Sequence, residues 1–120
     1  MLRRLIPAAL AIVVLSHSAA MADVKLVSAD PPAGATVHAA PTTISITFSD
    51  KIDAKFSSIV VVDERNQRVQ EGVAEATSYG AKTMSIAVKP LTAGVYRVIW
   101  RAVAADNSKS KGKYEFTVAP

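Results

Sequence analysis

The chain has 120 residues, a formal net charge of +4 and no cysteine. That length points to one domain, and the missing thiols exclude a disulfide framework, thiolate metal centres, iron–sulfur clusters and cysteine catalysis. The small positive excess gives no electrostatic case for nucleic acid as a partner.

Arg3 and Arg4 open the chain, an apolar run over 5–15 follows, and Ala20-Met21-Ala22 fits the small-x-small cleavage pattern. These are the three parts of a secretory signal. The apolar run falls well short of the ~20 residues a membrane span needs. We therefore expect a signal peptide at 1–22, cleaved after Ala22, with cleavage after Ala20 as the alternative. The mature domain is 23–120, begins at Asp23, and is not inserted in a membrane.

Beyond the leader the chain reads as short strands. Residues 24–28 form the first. Residues 42–48 alternate, with Ile44, Ile46 and Phe48 on one face, the signature of a half-buried strand. Residues 58–62 are β-branched throughout after Ser58, as in a more deeply buried strand. Residues 71–78 are open between a strand and a helical turn. Met84, Ile86 and Val88 alternate again. Residues 95–103 make the longest strand, with Tyr96, Val98, Trp100 and Ala102 on one face, and Tyr114, Phe116 and Val118 mark the last. Turn chemistry separates them: prolines and glycine at 31–34, polar runs at 63–67, 78–80 and 106–112, and Pro90 to Gly94. The expected fold is all-β, an immunoglobulin-like seven-stranded Greek-key sandwich. Tyr96, just after Leu91-Thr92-Ala93-Gly94, has the position of a tyrosine corner, and Trp100 is the expected core anchor. Lys109, Lys111 and Lys113 read as a solvated strand face.

Several of these segments together resemble one family. Pro32-Ala33-Gly34-Ala35, Phe48-Ser49-Asp50, Phe56-Ser57 and the long run from Leu91 through Tyr96 and Trp100 to Arg101 are similar to the CopC-type periplasmic copper-resistance proteins. The likeness covers essentially all of 23–120. It implies a periplasmic, non-enzymatic, copper-binding sandwich that acts beside a CopD-type inner-membrane protein. It also implies a Cu(II) site at one end of the sandwich. The family's ligands there are an N-terminal histidine with its amine and a D-x-H pair, with the F-S-E/D acid nearby.

Carried onto this chain, the N-terminal position is Asp23, the acid is Asp50, the aspartate of the pair is Asp106 and its histidine is Ser108. Asp23, Asp50 and Asp106 are thus the candidate metal ligands, without either imidazole. Cu(II) favours nitrogen, whereas carboxylates suit harder ions, so weak, amine-dependent Cu(II) binding is expected. The same aspartates have a structural reading, since Asp at strand ends bonds turn amides. His38 is the only histidine after the leader. It precedes the strand that ends near Asp50, which separates the two by roughly 20 Å, so it cannot join that site unless copies assemble end to end. No serine lies beside His38 in a nucleophile motif, and no glycine-rich phosphate loop is present, which leaves no enzymatic reading. Two functions stay open: a Cu(II) carrier or buffer, and an interaction module that has lost its metal site and serves a membrane or periplasmic protein.

Overall fold

The computed structural model describes residues 23–78 and 80–120. The expected signal peptide lies outside them, as does Tyr79 of the turn expected at 78–80. Eight strands follow one another: β1 Leu26–Asp30, β2 Thr36–Val37, β3 Thr43–Phe48, β4 Ser58–Val62, β5 Gln70–Ala76, β6 Thr83–Val88, β7 Gly94–Val103 and β8 Lys109–Val118. A 3-10 turn, Ala54–Phe56, precedes β4. Among the described residues no helix is long and apolar enough to cross a membrane.

The strands form two four-stranded sheets, ordered β1-β3-β6-β5 and β2-β8-β7-β4. This is the strand arrangement of an immunoglobulin-like sandwich whose first strand is divided between both sheets. The division explains the eighth strand. Pro31 and Pro32 interrupt the chain, Gly34 turns it at φ +77°, and β2 then pairs in parallel with β8 on the other sheet.

Alternation puts the apolar residues between the sheets as the sequence predicts. Ile44, Ile46 and Phe48 of β3, Met84, Ile86 and Val88 of β6, Tyr96, Val98, Trp100 and Ala102 of β7, and Tyr114, Phe116 and Val118 of β8 are all buried. Burial of each large side chain is worth about 1.5–3 kcal/mol, so this interleaved set dominates the stability. Phe48 meets Trp100 edge-on, with ring centroids 5.2 Å apart, and Tyr96 stacks on Phe116 at 5.5 Å. The Tyr96 hydroxyl donates to the Thr92 carbonyl at 2.6 Å, which confirms the tyrosine corner.

Three boundaries differ from the sequence reading. The first strand runs later, Leu26–Asp30, although Val24 still reaches the core. The ambiguous stretch is strand β5. A register shift between Glu71 and Glu75, with Gly72 at φ +73°, bulges it and masks its alternation. The polar loop at 106–112 contracts to the turn 105–107, closed by Ala104 N–H to Ser108 O at 2.9 Å, with Asn107 in the left-handed region at φ 69°. Strand β8 starts at Lys109 because its inward positions there are the small Ser110 and Gly112, which fit beneath Ala102 and Trp100 but carry no apolar signal. Strand β4 is an edge strand; Val69 N–H bonds Val61 O and the Gln70 side chain accepts from Val61 N–H, which covers its free edge.

Candidate functional site

Three segments meet at the end of the sandwich that carries the β7–β8 turn. The loop after β3 is zipped to that turn: Ala105 N–H donates to Lys51 O at 2.9 Å, Asp53 N–H donates to Val103 O at 2.8 Å, and Ile52 bridges Ala104. The N-terminal segment is tied to the same loop, with Lys25 N–H donating to Ser49 Oγ and Ser49 N–H to Lys25 O, both at 2.8 Å. Ser110 Oγ of β8 donates to Val24 O. A further hydroxyl, Ser57 Oγ, donates to Asp53 O at 2.7 Å and accepts from Val103 N–H at 2.9 Å. Serines 49, 57 and 110 therefore lash the three segments together. Two of them belong to the Phe48-Ser49-Asp50 and Phe56-Ser57 motifs, which the sequence offers as markers of kinship without revealing that the serines are clasps.

This clasp sets where the candidate ligands stand. Asp23 adjoins Val24, Asp50 adjoins the Ser49 and Lys51 contacts, and Asp106 follows Ala105. All three belong to one end of the sandwich. Asp23 and Asp106 are exposed and Asp50 is half-buried. Among the described residues, however, no three His, Asp or Glu side chains converge as a metal cluster.

Two of the carboxylates have structural work. Asp50 Oδ1 accepts from Lys51 N–H at 2.7 Å, and Asp106 Oδ1 accepts from Ser108 N–H at 2.9 Å. The Ser108 hydroxyl, then the Ser108 amide, hold the Asp106 carboxyl below its ordinary 3.8. The amide contact is the directed bond; the hydroxyl lies beside the carboxylate without hydrogen-bond geometry, and Ser108 Oγ is sealed from solvent with no partner.

His38 is exposed and follows β2, where Ala119 N–H bonds Val37 O. The ten-residue β7–β8 ladder lies between that end and the Asp106 turn, about 33 Å at ~3.3 Å per residue. His38 therefore stands at the opposite end of the sandwich from the candidate ligands, as the sequence predicts.

A model of the CopC domain matches residues 26–119. The chain belongs to the CopC domain family. Copper resistance protein C of Escherichia coli is 37% identical over 106 residues, covering 82% of this chain and 83% of that protein. The crystal structure of CopC from Methylosinus trichosporium OB3b superposes with a TM-score of 0.75 at 32% identity, over 81% of this chain and 94% of that one. That of PcoC, a methionine-rich copper resistance protein from Escherichia coli, gives 0.67 at 36% identity, over 81% and 99%. By contrast, this chain has three methionines, and of these only Met84, wholly buried in the core, falls within the residues 26–119 that match the CopC domain.

Proposed function

We propose that this CopC domain is a non-enzymatic periplasmic carrier or buffer that captures Cu(II) at the end of the sandwich bearing Asp23, Asp50 and Asp106. The observation that carries the reading is the serine clasp, which gathers the segments holding all three acids at one end. Export with removal of 1–22 frees the Asp23 amine, the one strong nitrogen donor available there. An amine with two or three carboxylates binds Cu(II) because copper tops the divalent affinity order, though far less tightly than two imidazoles would. The cargo is passed on reversibly, and a CopD-type inner-membrane protein is the partner the family likeness suggests.

A second reading has its own support. The carboxylates of Asp50 and Asp106 already bond turn amides, and Ser108 stands at the family's imidazole position. On that reading the domain is an interaction module without a metal site.

Titration of Cu(II) into the exported protein beginning at Asp23, followed by electron paramagnetic resonance, separates them. One bound equivalent, lost in Asp106→Ala and after N-terminal acetylation, supports the carrier. Binding no better than in those two controls removes the copper role and leaves the interaction module.

A further inference from the structure

The two sheets carry opposite charge. The strands β1, β3, β5 and β6 contain three acids, Asp30, Glu71 and Glu75, and no lysine or arginine. These strands also carry hydroxyls and two exposed valines, Val27 and Val73: Ser45 pairs with Ser85, and the Thr47 and Thr83 hydroxyls bond each other at 2.9 Å. The strands β2, β4, β7 and β8 contain five cations, Arg97, Arg101, Lys109, Lys111 and Lys113, against one acid, Glu115.

All five cations are exposed and alternate with buried or small residues, so they share the outer face of that sheet. Arg97 is matched by Glu115 at 3.6 Å, the one ion pair among the described residues. The other four have no carboxylate within ion-pair distance. Arg101 even stands directly opposite Lys111 in the ladder, a like-charge cross-strand pairing that works against the sheet. Fold stability does not account for such a pairing, whereas an anionic counter-surface does.

Apolar groups are set among these charges. Ile99, opposite Lys113, is 38% exposed, and Phe56 is 71% exposed. Phe56 rims a shallow open groove of about 570 Å³ shared with Ser58, Arg101 and Lys109. Cations interspersed with an aromatic and an aliphatic side chain on one flat face make the composition of an interfacial membrane-binding surface. Packed protein interfaces are instead depleted of lysine at their centre, which is where Lys111 and Lys113 lie.

We propose that the outer face of the β2-β8-β7-β4 sheet adsorbs this domain reversibly to an anionic phospholipid surface. Arg101, Lys109, Lys111 and Lys113 contact the headgroups, and Phe56 enters the interface. The opposite sheet, whose strands carry no cation, then faces away from the bilayer. The proposal is independent of any metal binding.

The test is co-sedimentation of the exported protein with large vesicles of phosphatidylcholine alone or mixed with phosphatidylglycerol. Binding is expected to the mixed vesicles only. It is lost between about 0.01 M and about 1 M salt, as the screening length shrinks from ~30 Å to ~3 Å. Each charge removed weakens partitioning about five-fold, so Arg101→Gln with Lys111→Gln costs about 25-fold. Lys82→Gln with Lys89→Gln removes equal charge from exposed positions outside this face and leaves binding within about two-fold of the parent, the loss being local to the surface. Circular dichroism verifies that both variants fold, and the salt dependence of the unaltered protein needs no variant. Equal losses in the two double variants, binding to neutral vesicles, or no recovery with anionic vesicles at low salt each overturn the proposal. In the last case a saturable complex with a poly-glutamate peptide assigns the face to an acidic protein segment instead.

Discussion

Replacing Gly112 with alanine puts a methyl group where the core has no room. An ideal Cβ at that position would lie 2.6 Å from Trp100 Cζ2, 2.8 Å from Cε2 and 3.0 Å from Nε1. Relaxed carbon contacts sit at ~3.5–4.0 Å, so the indole or the strand must retreat by about 1 Å. Neither moves freely. The indole is buried and held edge-on against Phe48, and Gly112 faces Trp100 directly in the β7–β8 ladder.

Overpacking of this kind costs about 1–3 kcal/mol. In a domain near 100 residues each kcal/mol moves Tm by ~4–8 °C, so Gly112→Ala is expected to melt about 4–24 °C lower. Circular dichroism gives the melting curve. Fluorescence reports the same locus, because Trp100 is the only tryptophan in the chain. Lys113→Ala, one residue along and exposed, should stay within about 0.5 kcal/mol of the parent. Trp100→Phe shrinks the ring that the new methyl strikes. Combining it with Gly112→Ala should therefore recover on the order of 1 kcal/mol relative to additivity. A Gly112→Ala melt within about 1 °C of the parent, or strict additivity in the double variant, would refute the packing argument.

Tyr96→Phe deletes the 2.6 Å bond to Thr92 O and should cost about 0.5–1.5 kcal/mol in urea denaturation. Tyr114 behaves oppositely: its buried hydroxyl has no partner, so Tyr114→Phe should be neutral or slightly stabilising. Burial, with the charge of Asp30 adding to it, raises the Tyr114 hydroxyl from 10.0 to about 12. The folded state thus keeps its proton where the unfolded chain loses it, and this contribution, full below pH 10, is lost as pH rises from 10 to 12. Stability measured against pH should show that alkaline decline in the parent and less of it in Tyr114→Phe. Ser108→His restores an imidazole beside Asp106 and should tighten Cu(II) binding at least about tenfold in the resonance titration; no gain would mean that the turn does not present this position to the metal.

The sequence by itself determined the sandwich and its inner face. Alternation in β3, β6, β7 and the end of β8 names nearly every large core residue, because period-two burial is a local property of a strand. The tyrosine corner was legible for a similar reason, since it rests on a contiguous run around Leu91 to Tyr96. Kinship with the CopC domain was legible because Pro32 to Ala35, Phe48 to Asp50, Phe56-Ser57 and Leu91 to Arg101 are each short local motifs. Tertiary structure decided what alternation cannot carry. Ser110 and Gly112 look like loop residues until Ala102 and Trp100 are seen above them. The bulge at Gly72 hides a strand, and the two-residue β2 exists only because β8 is there to pair with it. At the candidate site the sequence supplied the acids, while the fold supplied the serine clasp and the turn amides that engage Asp50 and Asp106. Opposite charge on the two outer faces is likewise a product of pairing order. Cations from two strands, Arg97 and Arg101 of β7 and Lys109, Lys111 and Lys113 of β8, become one basic surface only when those strands lie side by side between β2 and β4.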